Sequence, residues 1–232
     1  MAWTLINPVM VVLAYWMVFK FLFGSPIPNF ALFLFVGLTV WLLTFGGMQM
    51  ATPSIVNNAS LITKVRFPRE IVPLVAVIAN CVLVVAMLAI AIPLCIVLQD
   101  GSLVPLLLLP AILLLATAMT IGVGLALSAL NVYFRDVEHV IAAIGTPLFF
   151  LTPIFYTFSS LPESAANHQW LINLLHYGNP ISPFVITTQD VLFFGVWPAW
   201  SDLLYCLVAA VAFLLLGRWI FRRFEREMAV EL

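Results

Sequence analysis

With 232 residues, 64% hydrophobic side chains, 8% charged ones and a mean hydropathy of +1.17, the chain cannot cover a water-facing surface, since soluble domains carry about 25% charged residues. A net charge of −1 exerts no long-range pull on nucleic acid and argues against it as a partner. The cysteines Cys81, Cys95 and Cys206 each lie in an apolar run without metal-ligand spacing, and read as small buried hydrophobes.

A bilayer core takes about 20 mostly apolar residues per helix. The first such run is Trp3 to Phe23, followed by GSPIPN, whose two prolines cannot continue a helix. It has no basic leader and no small-residue cleavage site, so a retained span is expected rather than a signal peptide. The second run covers about 30 to 50. A polar break, ATPSIVNNASLITKVRFPRE, precedes the third, Ile71 to Leu98. Within the break, Asn58 or Ser60 is expected to cap a short helix that Pro68 ends. QDGS turns the chain into a fourth run, Leu103 to Leu130, after which NVYFRDVEH interrupts. The fifth run is about Val140 to Phe158, with kinks expected at Pro147 and Pro153.

The stretch between Phe158 and Trp200 is different. SSLPESAANHQWLINLLHYGNP is amphipathic, and PISPFVITTQDVLFFGVWP is apolar but too short to cross. Residues from about 162 to 194 are therefore expected to form two short re-entrant helices near the outer face, with an ordinary extracellular loop as the alternative. The sixth run is about Trp200 to Phe221. The expected fold is an all-α membrane protein, one transmembrane domain over 1–232 with six spans.

Charge sets the orientation. Lys64, Arg66 and Arg69 follow the second run, Arg135 the fourth, and Arg218, Arg222, Arg223 and Arg226 sit at or beyond the end of the sixth. Eight of the nine basic residues thus fall on one side, and Lys20 lies near enough to a span end to snorkel. The opposite loops hold Asp100 and Glu163 and no basic residue. Both termini are expected in the cytoplasm.

Enzyme chemistry lacks its parts. Neither Lys20 nor Lys64 follows a glycine, so no phosphate loop exists and the chain alone is not expected to hydrolyse ATP. His139, His168 and His176 show no metal-ligand spacing. His168 and His176 lie near Glu163, which leaves an acid–base pair open, though they read as solvated loop residues. Every Asp and Glu maps to a loop, a span end or the re-entrant segment, Asp190 and Asp202 coming closest to the membrane interior. A coupling ion would need a carboxylate at mid-membrane, so the energy for any transport is expected from another chain.

The loop after the second run interleaves Leu61, Ile62, Val65 and Phe67 with Lys64, Arg66 and Arg69. A short amphipathic helix of this kind offers a grip to a soluble partner, or serves only as a positive-inside anchor. The run SLITKVRFPREIVPL and the run NVYFRDVEHVIAAIGTPLFFLTPIFY resemble ABC-2 type transporter permeases, most closely their polysaccharide-exporting branch, which handles O antigen, capsule and teichoic acid. LINPVMVVLAYWMVF and LINLLHYGNPISPF extend the likeness over nearly the whole chain.

The resemblance implies a homodimer in the bacterial inner membrane, with one ATP-binding cassette ATPase beneath each copy and no cofactor in this chain. It implies a coupling helix at about 58–69 that meets the ATPase through Lys64, Val65, Arg66, Phe67, Arg69 and Glu70. A cytoplasmic loop motif comprises Asn131, Tyr133, Arg135 and Asp136. The implied substrate is a lipid-linked glycan, its sugars passing aromatic side chains for which Tyr15, Trp16, Phe19, Trp41, Phe155 and Tyr156 are candidates. Such permeases usually open on a basic interfacial helix, which this sequence does not show before its first run. Other readings are a permease for drugs or small lipids, a membrane-bound glycan-modifying enzyme using His168, His176 and Glu163, and a non-catalytic scaffold.

Overall fold

The structure is a computed structural model and describes residues 10, 13–14, 17, 27–64, 67–98, 101–158 and 169–225. The expectations for Tyr15, Trp16, Phe19, Val65, Arg66, Glu163 and His168 fall outside the described residues.

Among the described residues every regular element is a helix and no strand occurs. Helix α1 runs over Phe30–Ala51, and a π turn at Leu42–Gly46 widens it. Two short helices follow, α2 (Ser54–Asn57) and α3 (Ala59–Lys64). Asn58 starts α3 through its carbonyl, which accepts from the N–H groups of Leu61 and Ile62, while its side-chain amide donates back to Ser54 O. Helix α4 is Ile71–Leu98, and α5 is Val104–Tyr133, opening on a 3₁₀ turn at Val104–Leu108. Helix α6 is Val137–Leu151, α7 is Gln169–Tyr177, and α8 is Ser182–Gln189 with a π turn at Asp190–Phe194. Helix α9 is Trp200–Glu225.

Helices α1, α4, α5 and α9 are long and apolar enough to cross a membrane. Their surroundings differ: 83% of the most apolar window of α1 is buried inside the protein, against 28% for α4 and 22% for α9. Val82, Val85 and Val97 on α4 and Leu204, Leu215 and Trp219 on α9 are exposed, an apolar surface that only lipid or another protein can cover. Helix α6 is shorter than the expected fifth run. Its 15 residues rise about 22 Å, short of a hydrocarbon core about 30 Å thick. The helix passes through Pro147 and stops where Pro153, which has no N–H to donate, follows Thr152. The carbonyl of Thr152 then accepts from Ile154 N–H at 2.7 Å in a tight turn.

Two compact units share the chain, one drawn from residues 1–41, 83–113 and 149–206, the other from 42–82, 114–148 and 207–232. In the first, α8 packs on the opening turns of α1, where Gly37 lets Gln189 and Ile154 approach: a Cβ there would stand 2.7 Å from Gln189 Nε2. Gly195 adopts φ +62 and closes the π turn of α8, its backbone lying against Gly101.

In the second unit, glycines bring α5 and α9 together. A Cβ on Gly217 would run into the carbonyl of Gly122, and one on Gly122 into the carbonyl of Phe213. Small residues at such crossings let backbones meet where lipid supplies no hydrophobic push. A core of Ile55, Ile62, Leu125, Ala129, Val132 and Phe221 completes this unit.

Candidate functional site

Among the described residues, two groups of side chains carry chemistry. The first lies wholly in the first unit and begins at Trp41, buried on α1. Its ring meets Phe149 edge-on at 5.3 Å, and Phe155 stands 6.0 Å from Phe149 and 5.6 Å from Phe150. Tyr156, Phe158, His176, Tyr177 and Tyr205 continue the row, with successive centroids 5.4, 6.0, 5.2, 4.1 and 5.4 Å apart. Aromatic pairs at such spacings hold one another in place and give the row a defined shape. The structure thus brings Trp41, Phe155 and Tyr156 into one continuous series.

A cavity of about 240 Å³ opens beside this row, lined by Pro153, Tyr156, Phe158, Gln189, Asp190 and Phe194 among others. Aromatic walls with one amide and one carboxyl suit a ligand that has both apolar faces and hydroxyls. Gln189 is held there by its Nε2, which donates to Ile154 O at 3.3 Å. Burial pushes the Asp190 carboxyl up to about 6, with the Asp202 charge adding to the shift and His176 opposing it.

Asp202 is only 4% exposed, in the first turn of α9, where a carboxylate faces the positive end of the helix. Its Oδ1 accepts from Tyr177 OH at 3.0 Å, and Tyr205 OH donates to Tyr177 O at 2.7 Å. His176 Nε2 approaches the same oxygen to 3.1 Å, yet it is buried and makes no hydrogen bond there, so the contact is one of charge and proximity rather than an aligned bond. The expectation of a solvated His176 is therefore corrected: α7 turns its C-terminal residues under α9, and the ring stacks on Tyr177. Asn179 Nδ2 donates to Thr152 Oγ1 at 2.7 Å and Ser182 Oγ to Leu175 O at 2.9 Å, fixing the Gly-Asn-Pro turn between α7 and α8.

The second group lies wholly in the second unit. Phe67 is half-buried and packs against the core of Ile55, Ile62 and Phe221. Arg69 Nη1 donates to Glu225 O at 2.6 Å, and Tyr133 OH donates to Phe224 O at 2.9 Å. The Tyr133 and Phe224 rings are 5.2 Å apart. Glu70 Oε1 accepts from Arg222 Nε at 3.1 Å, and its Oε2 stands 3.6 Å from Arg218 Nε. Both arginines are more than half exposed, and exposed ion pairs contribute only ~0.2–1 kcal/mol each. Asn131 is buried, and its Oδ1 accepts from Glu138 N–H at 3.1 Å, capping the start of α6. Lys64, Arg135 and Asp136 are exposed.

The sequence does not reveal which side chains these residues meet: Arg218 and Arg222 bear there on orientation alone, and Tyr205 and Gln189 belong to no motif. The four-residue spacing of Arg218 and Arg222, which puts both on one helix face opposite an acid, was the available signal.

The model of the family described as ABC-2 type transporter matches residues 1–193. The chain belongs to that family. Among curated proteins this family member is similar to the O-antigen export system permease protein RfbA of Myxococcus xanthus, at 28% identity over 227 residues, covering 98% of this chain and 85% of the relative. Two proteins of the same name from Klebsiella pneumoniae are also 28% identical, over 195 and 198 residues, covering 84% and 83% of this chain and 73% and 72% of the relatives. Apolar spans, family and relatives together make the chain an integral membrane protein of a transporter.

Proposed function

We propose that this chain is the permease subunit of an exporter that carries a lipid-linked polysaccharide of the O-antigen kind across the bacterial inner membrane. It works as a homodimer, and a separate ATP-binding subunit under each copy supplies the energy. The observation that carries this reading is the likeness to a protein named for O-antigen export over 98% of the chain. The aromatic row from Trp41 to Tyr205 supports it, because sugar rings present flat C–H faces that pack on aromatic side chains. In this reading α3 and the loop after it meet the ATPase, α7 and α8 form the re-entrant pair, and both termini are cytoplasmic.

Deletion and complementation in the host test the function. The expected result is loss of surface polysaccharide on deletion and its return with the cloned chain, with an ATP-binding subunit recovered on affinity purification. Unchanged surface polysaccharide after deletion would overturn the substrate, and ATP turnover by the purified chain alone would overturn the division of labour. Labelling of single cysteines tests the orientation: Ser102→Cys is expected to react from outside and Asn57→Cys only from inside.

A further inference from the structure

We infer that Arg69, Glu70 and Tyr133 are positioning residues that clasp α9 between Arg218 and Glu225, so that the loop between α3 and α4 and this helix move as one body during transport. The inference rests on the transport function proposed above, and it gives the motifs FPRE and N-x-Y-x-R-D a target inside the chain.

Three side chains converge on the stretch of α9 from Arg218 to Glu225. Two of its carbonyls accept from side chains belonging to two different parts of the chain, Phe224 from Tyr133 at the end of α5 and Glu225 from Arg69. One turn back, Glu70 engages Arg222 and Arg218, which share a helix face. Beneath these polar contacts Phe221 is fully buried, and Phe67, Val72, Tyr133 and Phe224 all pack on the cluster that contains it.

The polar contacts are directional where the apolar ones are not. The glycine crossing with α5 already fixes where α9 lies, and the carbonyl bonds and the two-arginine bracket add directional ties between that helix and the loop. Glu70 is 27% exposed, so its pairing adds little to the stability of the fold and acts as a tie between the loop and α9. A displacement of the loop by a partner is then passed to α9 rather than absorbed between them.

The test uses the full chain with its ATP-binding subunit in cells. Glu70→Arg, which sets three like charges together, is expected to lower export by about tenfold, the usual size of a coupling effect. Adding Arg218→Glu and Arg222→Glu restores the pairing with reversed sign and is expected to recover most of that loss. Loss of a merely structural contact would lower the amount of inserted protein in parallel with export, whereas the clasp predicts loss of export at an equal protein level. A second measurement addresses the contact itself. Glu70→Cys with Arg222→Cys, in a chain with its three native cysteines replaced, is joined by a short reversible bis-thiosulfonate linker in membranes. Cross-linking is expected, with the same export before and after the linker is cleaved.

Failure of the linker to join the pair, failure of the reversed charges to rescue, or export that returns only on cleavage would each overturn the inference. An unsubstituted chain that exports nothing would sink the transport reading instead, and the cross-link would still report on the clasp.

Discussion

Asn80 on α4 donates its Nδ2 to the Leu42 carbonyl at 2.7 Å, and the same nitrogen reaches the Leu43 carbonyl at 3.3 Å. Leu42 opens the π turn of α1, where the wider helix no longer pairs its carbonyls in the regular way. Asn80 is 6% exposed, so no water replaces its amide there. Substituting leucine, close in size but without donors, is expected to destabilise the fold by about 1–3 kcal/mol, the cost of stranding a buried acceptor. Thermal unfolding in detergent measures this, and an unchanged melting temperature would show that the π turn stands without Asn80.

Asp190 predicts a pH dependence. Its carboxyl is raised from 3.8 to about 6, first by burial and then by Asp202, against the opposing influence of His176. The folded protein therefore keeps the proton to a higher pH than the unfolded chain does. The contribution of neutral Asp190 is fully present below about 4 and is lost as pH rises through about 6. The melting temperature of the native chain is expected to fall across that window relative to Asp190→Asn, whose side chain carries no titrating proton. Parallel curves for the two proteins would refute the assignment.

The crossing of α5 and α9 predicts intolerance to a single methyl group. A Cβ at Gly217 meets the backbone carbonyl of Gly122, and a backbone cannot step aside as a flexible side chain can. Gly217→Ala is expected to cost about 1–3 kcal/mol through overpacking, against almost nothing at Gly46, where the nearest atoms lie 3.7 Å away or farther. Comparing the melting temperatures of the two alanine variants decides it.

Helix lengths were largely legible, because an apolar run needs an internally bonded backbone wherever it meets lipid. The run from Ile71 to Leu98 is a helix over those same residues. Legibility stopped where a polar residue had to choose a partner. Glu70 lies 152 positions from Arg222, and nothing in either segment encodes which way the loop folds back. His176 failed for the same reason: an amphipathic stretch shows that one face is apolar, not that its last turn lies beside a buried carboxylate 26 positions on. The π turn at Leu42–Gly46 was invisible too, since LLTFG reads as ordinary helix and only the donor from Asn80 marks it.

The loop after α3 separates two kinds of residue that the sequence presents as one group. Phe67 packs inward on the cluster around Phe221, while Lys64 is exposed, as are Arg135 and Asp136 on the loop before α6. An interface draws on residues that are free to be covered, so the ATP-binding subunit proposed above is expected to meet Lys64, Arg135 and Asp136 rather than Phe67, which is already engaged. Lys64→Glu and Arg135→Glu are each expected to reduce recovery of the ATP-binding subunit, more so at low salt, because exposed charges act within a Debye length of about 10 Å. Phe67→Ala is expected to act on the chain itself, lowering its stability by about 1–2 kcal/mol for a half-buried aromatic ring. Melting temperature and partner recovery measured side by side separate the two roles. If Phe67→Ala loses the partner at an unchanged melting temperature while both charge reversals are silent, Phe67 is the anchor and its packing on the Phe221 cluster gives way when the partner binds.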